Sequence, residues 1–299
     1  MRKHPVMSGL LLLIVLGFVF YLIFYRAGAQ TGSVGAKRFS LNDKVGVLPI
    51  EGLITDSFKI NQQIDEFAED SSIVAVVVRI NSPGGSVGAA QEIYDAILEL
   101  KKKKKVVVSM GSIAASGGLL IACAGDKIVA NPGTITGSIS AIMQFANLEE
   151  LMKKVGVKSS VVKSGPYKDI GSPMREMTPE EQAIVQELVD DIYNQFIDVI
   201  VRNRKLTREQ VAAIADGRVF SGRKAKDYGL VDQLGNMDAA AKLASVLAGK
   251  DGQYELVFPK KTGRGIFDLM FESAANSLNQ ALREKSEFTR TGVSYLYQP

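Results

Sequence analysis

Apolar residues along the chain form patterns that alternate between buried strands and amphipathic helices. Residues 44–50, 73–80 and 105–109 are rich in Val and Ile without polar alternation, which is typical of strands buried on both faces. Between these strands, apolar residues recur at helical spacing in residues 56–67 and 87–100. This strand–helix–strand order predicts a parallel sheet with crossover helices, and therefore an α/β domain.

The same alternation continues into the second half of the chain. Two further apolar runs predict strands at residues 127–130 and 158–162. Apolar spacing, capping residues and Ala-rich composition predict four more helices, at residues 178–203, 221–229, 238–247 and 263–285. The first of them opens with Thr178-Pro-Glu-Glu181, in which Thr178 suits the N-cap and Glu181 completes a capping box.

The N-terminal region contains a run of uncharged residues, 7–25, that is long enough to span a bilayer. As a helix it would reach roughly 28 Å. Arg2 and Lys3 precede the run and only Arg26 follows directly, which favours a cytoplasmic N-terminus and an exported body. Ala27-Gly28-Ala29 resembles a cleavage site, so a removed signal peptide is the alternative. We expect an uncleaved anchor, because the run exceeds a usual signal-peptide core and Arg26 interrupts the approach to that site.

These features divide the chain into four parts. Residues 1–26 form the predicted membrane anchor, and residues 27–43, rich in Gly, Ala, Ser and Thr, form a linker. Residues 44–248 form the α/β domain. Residues 249–299 form a C-terminal extension of strand and helix with a tail.

Composition narrows the chemistry that is available to this chain. The net charge is +4 and no arginine-rich stripe with interleaved aromatics occurs, so we expect no nucleic-acid partner. The single cysteine, Cys123, lies in an apolar segment and is predicted to be a buried structural thiol. A clustered zinc site would need Cys and His ligands that the chain lacks. The single histidine, His4, precedes the anchor, so any hydrolase in the exported body must work without histidine.

Serines in two turns that follow predicted strands are candidate nucleophiles, because ligands of open α/β sheets bind at the carboxyl ends of the strands. Ser116 precedes Gly117, Gly118 and an apolar helix-like run. A helix starting there would favour negative charge near the serine oxygen, as an acyl-transfer nucleophile needs. A simple N-cap is the alternative role for Ser116. The residues alone leave three competitors open, Ser82, Ser86 and Ser112.

A third turn, residues 163–170, contains Lys168 between Tyr167 and Asp169. A lysine can act as a general base only when it is neutral, which requires burial or a cationic neighbour. An ordinary surface lysine is the alternative, since lysines are mostly exposed.

Four motifs in this order resemble those of the bacterial signal peptide peptidase, or protease IV, family of serine peptidases. They are Asn81-Ser-Pro-Gly-Gly-Ser86, Ala115-Ser-Gly-Gly118, Thr136-Gly-Ser138 and Ser164-Gly-Pro-Tyr-Lys-Asp169. The similarity extends from about Val45 to Gly235. It implies a fold shared with Clp-type proteases and crotonases: a parallel sheet with crossover helices, here preceded by one transmembrane helix.

The resemblance also implies a Ser/Lys dyad that needs no metal and no cofactor. By motif position, Ser116 would be the nucleophile and Lys168 its general base. Ser138 matches the serine that helps to hold the lysine amine. The oxyanion hole would come from the backbone N–H groups of Gly85 and Gly117.

Members of the family assemble into ring-shaped homo-oligomers with an apolar interior, in which catalytic residues can be shared between neighbouring subunits. The implied function is a membrane-bound serine endopeptidase that degrades apolar peptides such as cleaved signal peptides. The implied location is the bacterial cytoplasmic membrane, with a single span, a cytoplasmic N-terminus and the catalytic domain on the extracytoplasmic side.

Two other functions fit the same fold. A crotonase-like acyl-CoA enzyme would use the oxyanion amides without Ser116 or Lys168, and a non-catalytic membrane scaffold would keep only the fold. The anchor and the Ser/Lys motifs argue against both. Leu119 and Leu120 stand where many relatives carry aromatic residues, which leaves the side-chain preference of the pocket open.

Overall fold

The computed structural model describes residues 43–259 and the backbone of residues 294–296. The predicted anchor (residues 1–26), residues 27–42 of the predicted linker and the helix predicted at residues 263–285 lie outside the described residues. Within the described part, no helix has both the length and the apolar composition that crossing a bilayer requires.

The described residues form ten strands and eight helices. The strands are β1 Asp43–Glu51, β2 Ile73–Ser82, β3 Gly84–Ser86, β4 Lys105–Ala115, β5 Lys127–Ala130, β6 Ile135–Gly137, β7 Val219–Ser221, β8 Gln233–Leu234, β9 Tyr254–Val257 and β10 Ser294–Leu296. The helices are α1 Phe58–Glu69, α2 Val87–Lys103, α3 Gly117–Ala122, α4 Glu149–Lys154, α5 Pro179–Asn203, α6 Arg208–Ala212, α7 Gly222–Asp227 and α8 Met237–Leu247.

Eight of the described strands form one sheet. Its strand order is β7-β6-β4-β2-β1-β9, and β5 and β8 extend the sheet beside the first half of β4. Every pair is parallel except β6 with β7. Strand β4 therefore has two neighbours on one side, since its residues 107–110 pair with β5 and its residues 113–115 pair with β6. The predicted α/β class with a mostly parallel sheet is confirmed.

Helices cover both faces of this sheet, which explains why its central strands lack polar alternation. In β2, Val76 and Val78 belong to the larger core, to which α1, α2, α3 and α5 contribute. Ala75 and Val77 point to the other face and belong to a smaller core with α8. Successive side chains of a strand alternate between faces, so a strand covered on both faces is apolar throughout.

Most of the predicted elements agree with the structure. Strand β5 has the predicted bounds, and α2 and α5 begin within one residue of theirs. The predicted capping box is present: Thr178 Oγ1 accepts the N–H of Glu181 at 3.2 Å, and the Glu181 carboxylate accepts the N–H of Thr178 at 3.0 Å. Strand β4 continues six residues beyond the predicted end at residue 109 and so reaches Ala115.

The strand predicted at residues 158–162 is wrong. These residues form neither strand nor helix, and all five are exposed. Val162 is fully exposed, at 101%. An apolar run indicates that side chains become covered, but within the described chain nothing covers these residues or pairs with their backbone.

The cysteine lies in the core, as predicted. Cys123 follows α3 directly, and its side chain is 1% exposed. Burial raises the pKa of the thiol to about 12, so the thiol is protonated and unreactive at neutral pH.

Replacing Phe196 tests the packing of α5 into the larger core. Its side chain is 0% exposed, and Phe196→Ala is expected to lower the free energy of unfolding by about 3–5 kcal/mol through lost apolar burial and a cavity. Phe58→Ala is the matched control, because Phe58 is 76% exposed and its loss should change stability by less than about 0.5 kcal/mol. Urea unfolding followed by circular dichroism measures both. Equal effects in the two variants would contradict this packing.

Candidate active site

Ser116 occupies a strained turn between β4 and α3. Its φ is +53° and its ψ is −118°, a conformation that non-glycine residues rarely adopt. Its side chain is 1% exposed, and Oγ has no hydrogen-bond partner. A serine held in a sharp strand-to-helix turn with an unengaged hydroxyl is typical of a catalytic nucleophile.

Ser138 occupies the corresponding position at the end of the neighbouring strand β6. Among the described non-glycine residues, only Ser116 and Ser138 have a positive φ, and that of Ser138 is +50°. The two serines follow Ala115 and Gly137, which pair with each other. The N–H of Ser116 donates to Gly137 O at 2.9 Å, so the parallel ladder brings both serines to the same edge of the sheet.

Two threonine side chains attach the β6 segment to β4, a role that the residue pattern does not indicate. Thr134 Oγ1 donates to Gly111 O at 2.7 Å, and Thr136 Oγ1 donates to Ala114 O at 2.6 Å. Both threonines are buried. Threonine is common in strands, so only the Thr136-Gly-Ser138 motif could have drawn attention to this segment.

The turn that follows β2 lies beside the Ser116 turn. Ser82 pairs with Ala114, and Asn81 Oδ1 accepts the N–H groups of Ser112 at 3.1 Å and Ile113 at 3.3 Å. Ser82 Oγ accepts the N–H of Gly84 at 3.1 Å. Ser82 thus stabilises its own turn, while the side chain of Ser112 is exposed. Neither serine combines burial with an unengaged hydroxyl as Ser116 does.

Gly85 lies in β3 between two other backbone segments. On one side, Gly84 O accepts the N–H of Ile54 at 2.9 Å, and Ile54 O accepts the N–H of Ser86 at 2.7 Å. By strand alternation, the N–H and C=O of Gly85 face the opposite edge. On that edge β10 pairs antiparallel with β3, with Tyr295 opposite Gly85.

Gly117 is the first residue of α3, so its N–H has no acceptor within the helix. It directly follows Ser116. The structure therefore places the amide proposed for the oxyanion hole at Gly117 next to the candidate nucleophile. The Gly85 turn comes close through the pairing of β2 with β4.

Lys168 is not in contact with the Ser116 hydroxyl. It is exposed, and its N–H donates to Gly165 O at 3.2 Å in a turn of the segment between β6 and α5. Because Ser116 Oγ has no partner, Lys168 Nζ does not bind it within the single chain. The structure thus brings Ser116, Ser138 and the glycine turns together but leaves Lys168 apart from them.

Arg175 is a further candidate functional residue, and no motif in the sequence marks it. Its guanidinium donates to the carboxylate of Asp169, the residue after Lys168, with Nε at 3.0 Å and Nη2 at 2.8 Å. Only its place shortly before the Thr178 capping box could have pointed to it.

The arrangement suits acyl transfer to a serine, with backbone amides available to a developing oxyanion. Within residues 43–259, no three or more His, Cys, Asp or Glu residues are grouped so that they could hold a metal ion.

Comparison with known protein families shows what kind of chain this is. The family model described as peptidase family S49 matches residues 99–251, slightly more than half of the 299 residues. The chain belongs to peptidase family S49. A model described as Clp protease also matches residues 54–135. The resemblance to a family of serine peptidases is thereby confirmed.

Individual relatives agree with membership of family S49. A candidate protease of Synechocystis sp. is 51% identical over 183 residues, which cover 61% of this chain and 66% of the relative. A candidate signal peptide peptidase SppA of Enterococcus faecium is 33% identical, and the match covers 67% of this chain and 62% of the relative. Protease 4 of Salmonella typhi is 38% identical, and the match covers 74% of this chain and 36% of the relative. The match thus spans less than two thirds of the length of each of these three relatives.

Substituting Gly85 tests the close approach of β3 to Ile54. A Cβ on Gly85 would lie 1.9 Å from Ile54 O, so Gly85→Ala must push the two backbones apart. We expect Gly85→Ala to lower the free energy of unfolding by about 1–3 kcal/mol. Gly88→Ala is the control, since a Cβ on Gly88 meets nothing within 4 Å. Thermal unfolding compares the variants, and a wild-type midpoint for Gly85→Ala would contradict the approach.

Proposed function

We propose that this chain is a serine endopeptidase in which Ser116 attacks the peptide bond and Lys168 is the general base. The observation that carries this proposal is the buried Ser116 hydroxyl, which lies in a strained turn without a hydrogen-bond partner. Membership of peptidase family S49 favours it over an acyl-CoA enzyme on the same fold.

In the proposed reaction, neutral Lys168 accepts the Ser116 proton while Oγ forms a bond to the peptide carbonyl carbon. The N–H groups of Gly85 and Gly117 stabilise the oxyanion, and each such donor is typically worth about 3–4 kcal/mol. Protonated Lys168 then donates its proton to the leaving amine as the C–N bond breaks. Water, deprotonated by the same lysine, hydrolyses the acyl-enzyme. Ser138 holds the lysine amine during these steps.

The pairing of β10 with β3 supports an extended peptide as the substrate. Ser294–Leu296 lies antiparallel to Gly84–Ser86, so the edge of β3 that faces away from Ile54 accepts a strand, and a substrate peptide would take the place of β10 there. A substrate peptide binding in the same way would gain main-chain hydrogen bonds next to Ser116. We propose apolar peptides such as cleaved signal peptides, in keeping with the name of the Enterococcus faecium relative.

Exposed apolar side chains support a ring-shaped homo-oligomer that completes the dyad between subunits. Between residues 142 and 188, the exposed large apolar residues are Ile142, Phe145, Leu151, Val155, Val157, Val161, Val162, Tyr167, Met174, Ile184 and Leu188. Exposed apolar surface of this extent marks an interaction site. Lys168 belongs to the same segment, so an interface formed here would carry Lys168 toward Ser116 of the neighbouring copy.

The uncharged run at residues 7–25 supports a location at the bacterial cytoplasmic membrane. We propose a single span with the N-terminus in the cytoplasm and the peptidase domain on the extracytoplasmic side. Such a tether would keep the enzyme near apolar peptides released in the bilayer.

Substituting either member of the dyad should abolish peptide hydrolysis. Ser116→Ala and Lys168→Ala are each expected to lower kcat at least about 1,000-fold, because nucleophile and base act as one unit. Ser112→Ala is the control, since Ser112 is exposed, and it should retain wild-type kcat. The assay follows cleavage of an internally quenched peptide rich in Leu and Ala. Full activity of Ser116→Ala or of Lys168→Ala would refute the dyad.

Mixed assemblies test whether the dyad forms between subunits. Coexpression of Ser116→Ala and Lys168→Ala chains in equal amounts should restore about one quarter of wild-type activity, the chance that neighbours supply an intact serine and an intact lysine in a ring. A dyad within one chain predicts no recovery. Complete inactivity of mixed assemblies would therefore exclude the shared site.

A further inference from the structure

A network of charged side chains fixes the turn that contains Lys168. Asp169 follows Lys168 directly, and its side chain is only 14% exposed. Its carboxylate accepts hydrogen bonds from Arg175 and also from Lys163 Nζ. Lys163 Nζ donates as well to Pro166 O at 2.6 Å. The turn thus begins at Lys163 and ends at Asp169, and an ion pair joins these two residues.

Arg175 connects this turn to the start of α5. Its Nη1 donates to the Glu181 carboxylate at 2.7 Å, and its Nη2 contacts the other oxygen of that carboxylate. The Glu181 side chain is 3% exposed and is also part of the capping box with Thr178. The planar guanidinium therefore bridges two carboxylates with fork geometry, one beside Lys168 and one buried at a helix N-terminus.

Both carboxylates of the network stay ionised at neutral pH. Hydrogen bonds from Arg175 lower the pKa of Glu181 to about 2 and hold the pKa of Asp169 well below its usual range. A second charged pair, Glu149 with Lys153 on α4, contacts the same segment. The Glu149 carboxylate accepts the N–H of Glu176, the residue after Arg175, at 3.1 Å.

From this geometry we infer that Arg175 is a positioning residue, which sets the location of Lys168 through Asp169 and Glu181. The inference rests on the proposed role of Lys168 as the general base. Lys168 itself is exposed and lies in a segment with few buried residues, so core packing does not place it. The ion pairs of its neighbour Asp169 supply that constraint. A misplacement of about 1 Å at a catalytic group can cost about 100-fold in rate.

The test measures kcat and KM of the full-length protein with the quenched Leu- and Ala-rich peptide. Arg175→Gln should lower kcat by about 10-fold to 100-fold while KM changes less than about twofold, because peptide binding on β3 does not involve this turn. Arg208→Gln is the matched control. Arg208 is an exposed arginine paired with Asp198, and its replacement should leave kcat at the wild-type value.

A conservative substitution separates charge from geometry. Arg175→Lys keeps the charge but loses the bidentate fork, so it should restore only part of kcat.

Four outcomes decide the inference. A wild-type kcat for folded Arg175→Gln, with Ser116→Ala inactive, would overturn the role of Arg175 alone. An equal loss of kcat in Arg208→Gln would also overturn it. If Arg175→Gln fails to fold, Arg175→Lys is the variant that tests the inference. A wild-type kcat for Arg175→Lys would then contradict the role of Arg175 as a positioning residue. An active Ser116→Ala would instead refute the peptidase function itself, and the inference with it.

Discussion

The hydrogen-bonded ladder on both sides of β4 is the constraint on which the rest of the site depends. At its carboxyl end Ala114 pairs with Ser82 in β2, and Ala115 pairs with Gly137 in β6. Buried backbone groups must remain paired, so a shift in register would break two ladders at once and turn apolar side chains away from the core. Ser116, the next residue, therefore takes its position from the main chain of three strands.

This constraint explains how the chain tolerates backbone strain at two serines that follow paired residues of neighbouring strands. A non-glycine residue with positive φ costs about 1–3 kcal/mol, and Ser116 and Ser138 both adopt that conformation. The N–H of Ser116 donates to Gly137 O at 2.9 Å, and the N–H of Ser138 donates to Arg218 O at 2.8 Å. The ladder offsets the strain, and the turn leaves the Ser116 hydroxyl as a buried group without a partner.

The sequence predicted the central sheet well because strands covered on both faces leave an apolar signature. The residue pattern could not separate Ser116 from Ser112, since the difference lies in backbone strain and burial, which no residue pattern encodes. The apolar run at residues 158–162 misled because an apolar run does not by itself require burial, and among the described residues these five are exposed and lie outside any strand. The sequence did not indicate a role for Arg175, because its carboxylate partners Asp169 and Glu181 become its neighbours only through folding.

The two proposed members of the dyad are held by different physics, and this difference bears on when the site becomes active. Ser116 is fixed by a core that exists in the single chain, whereas Lys168 is carried by an exposed, apolar-rich segment fixed by ion pairs. In the proposed ring, burying that segment would bring the lysine to the serine and remove water from it. Desolvation disfavours the charged form of a lysine, so the same contact would supply both the geometry and the neutral base. An isolated subunit would then lack both, and hydrolysis would be confined to the assembled chamber.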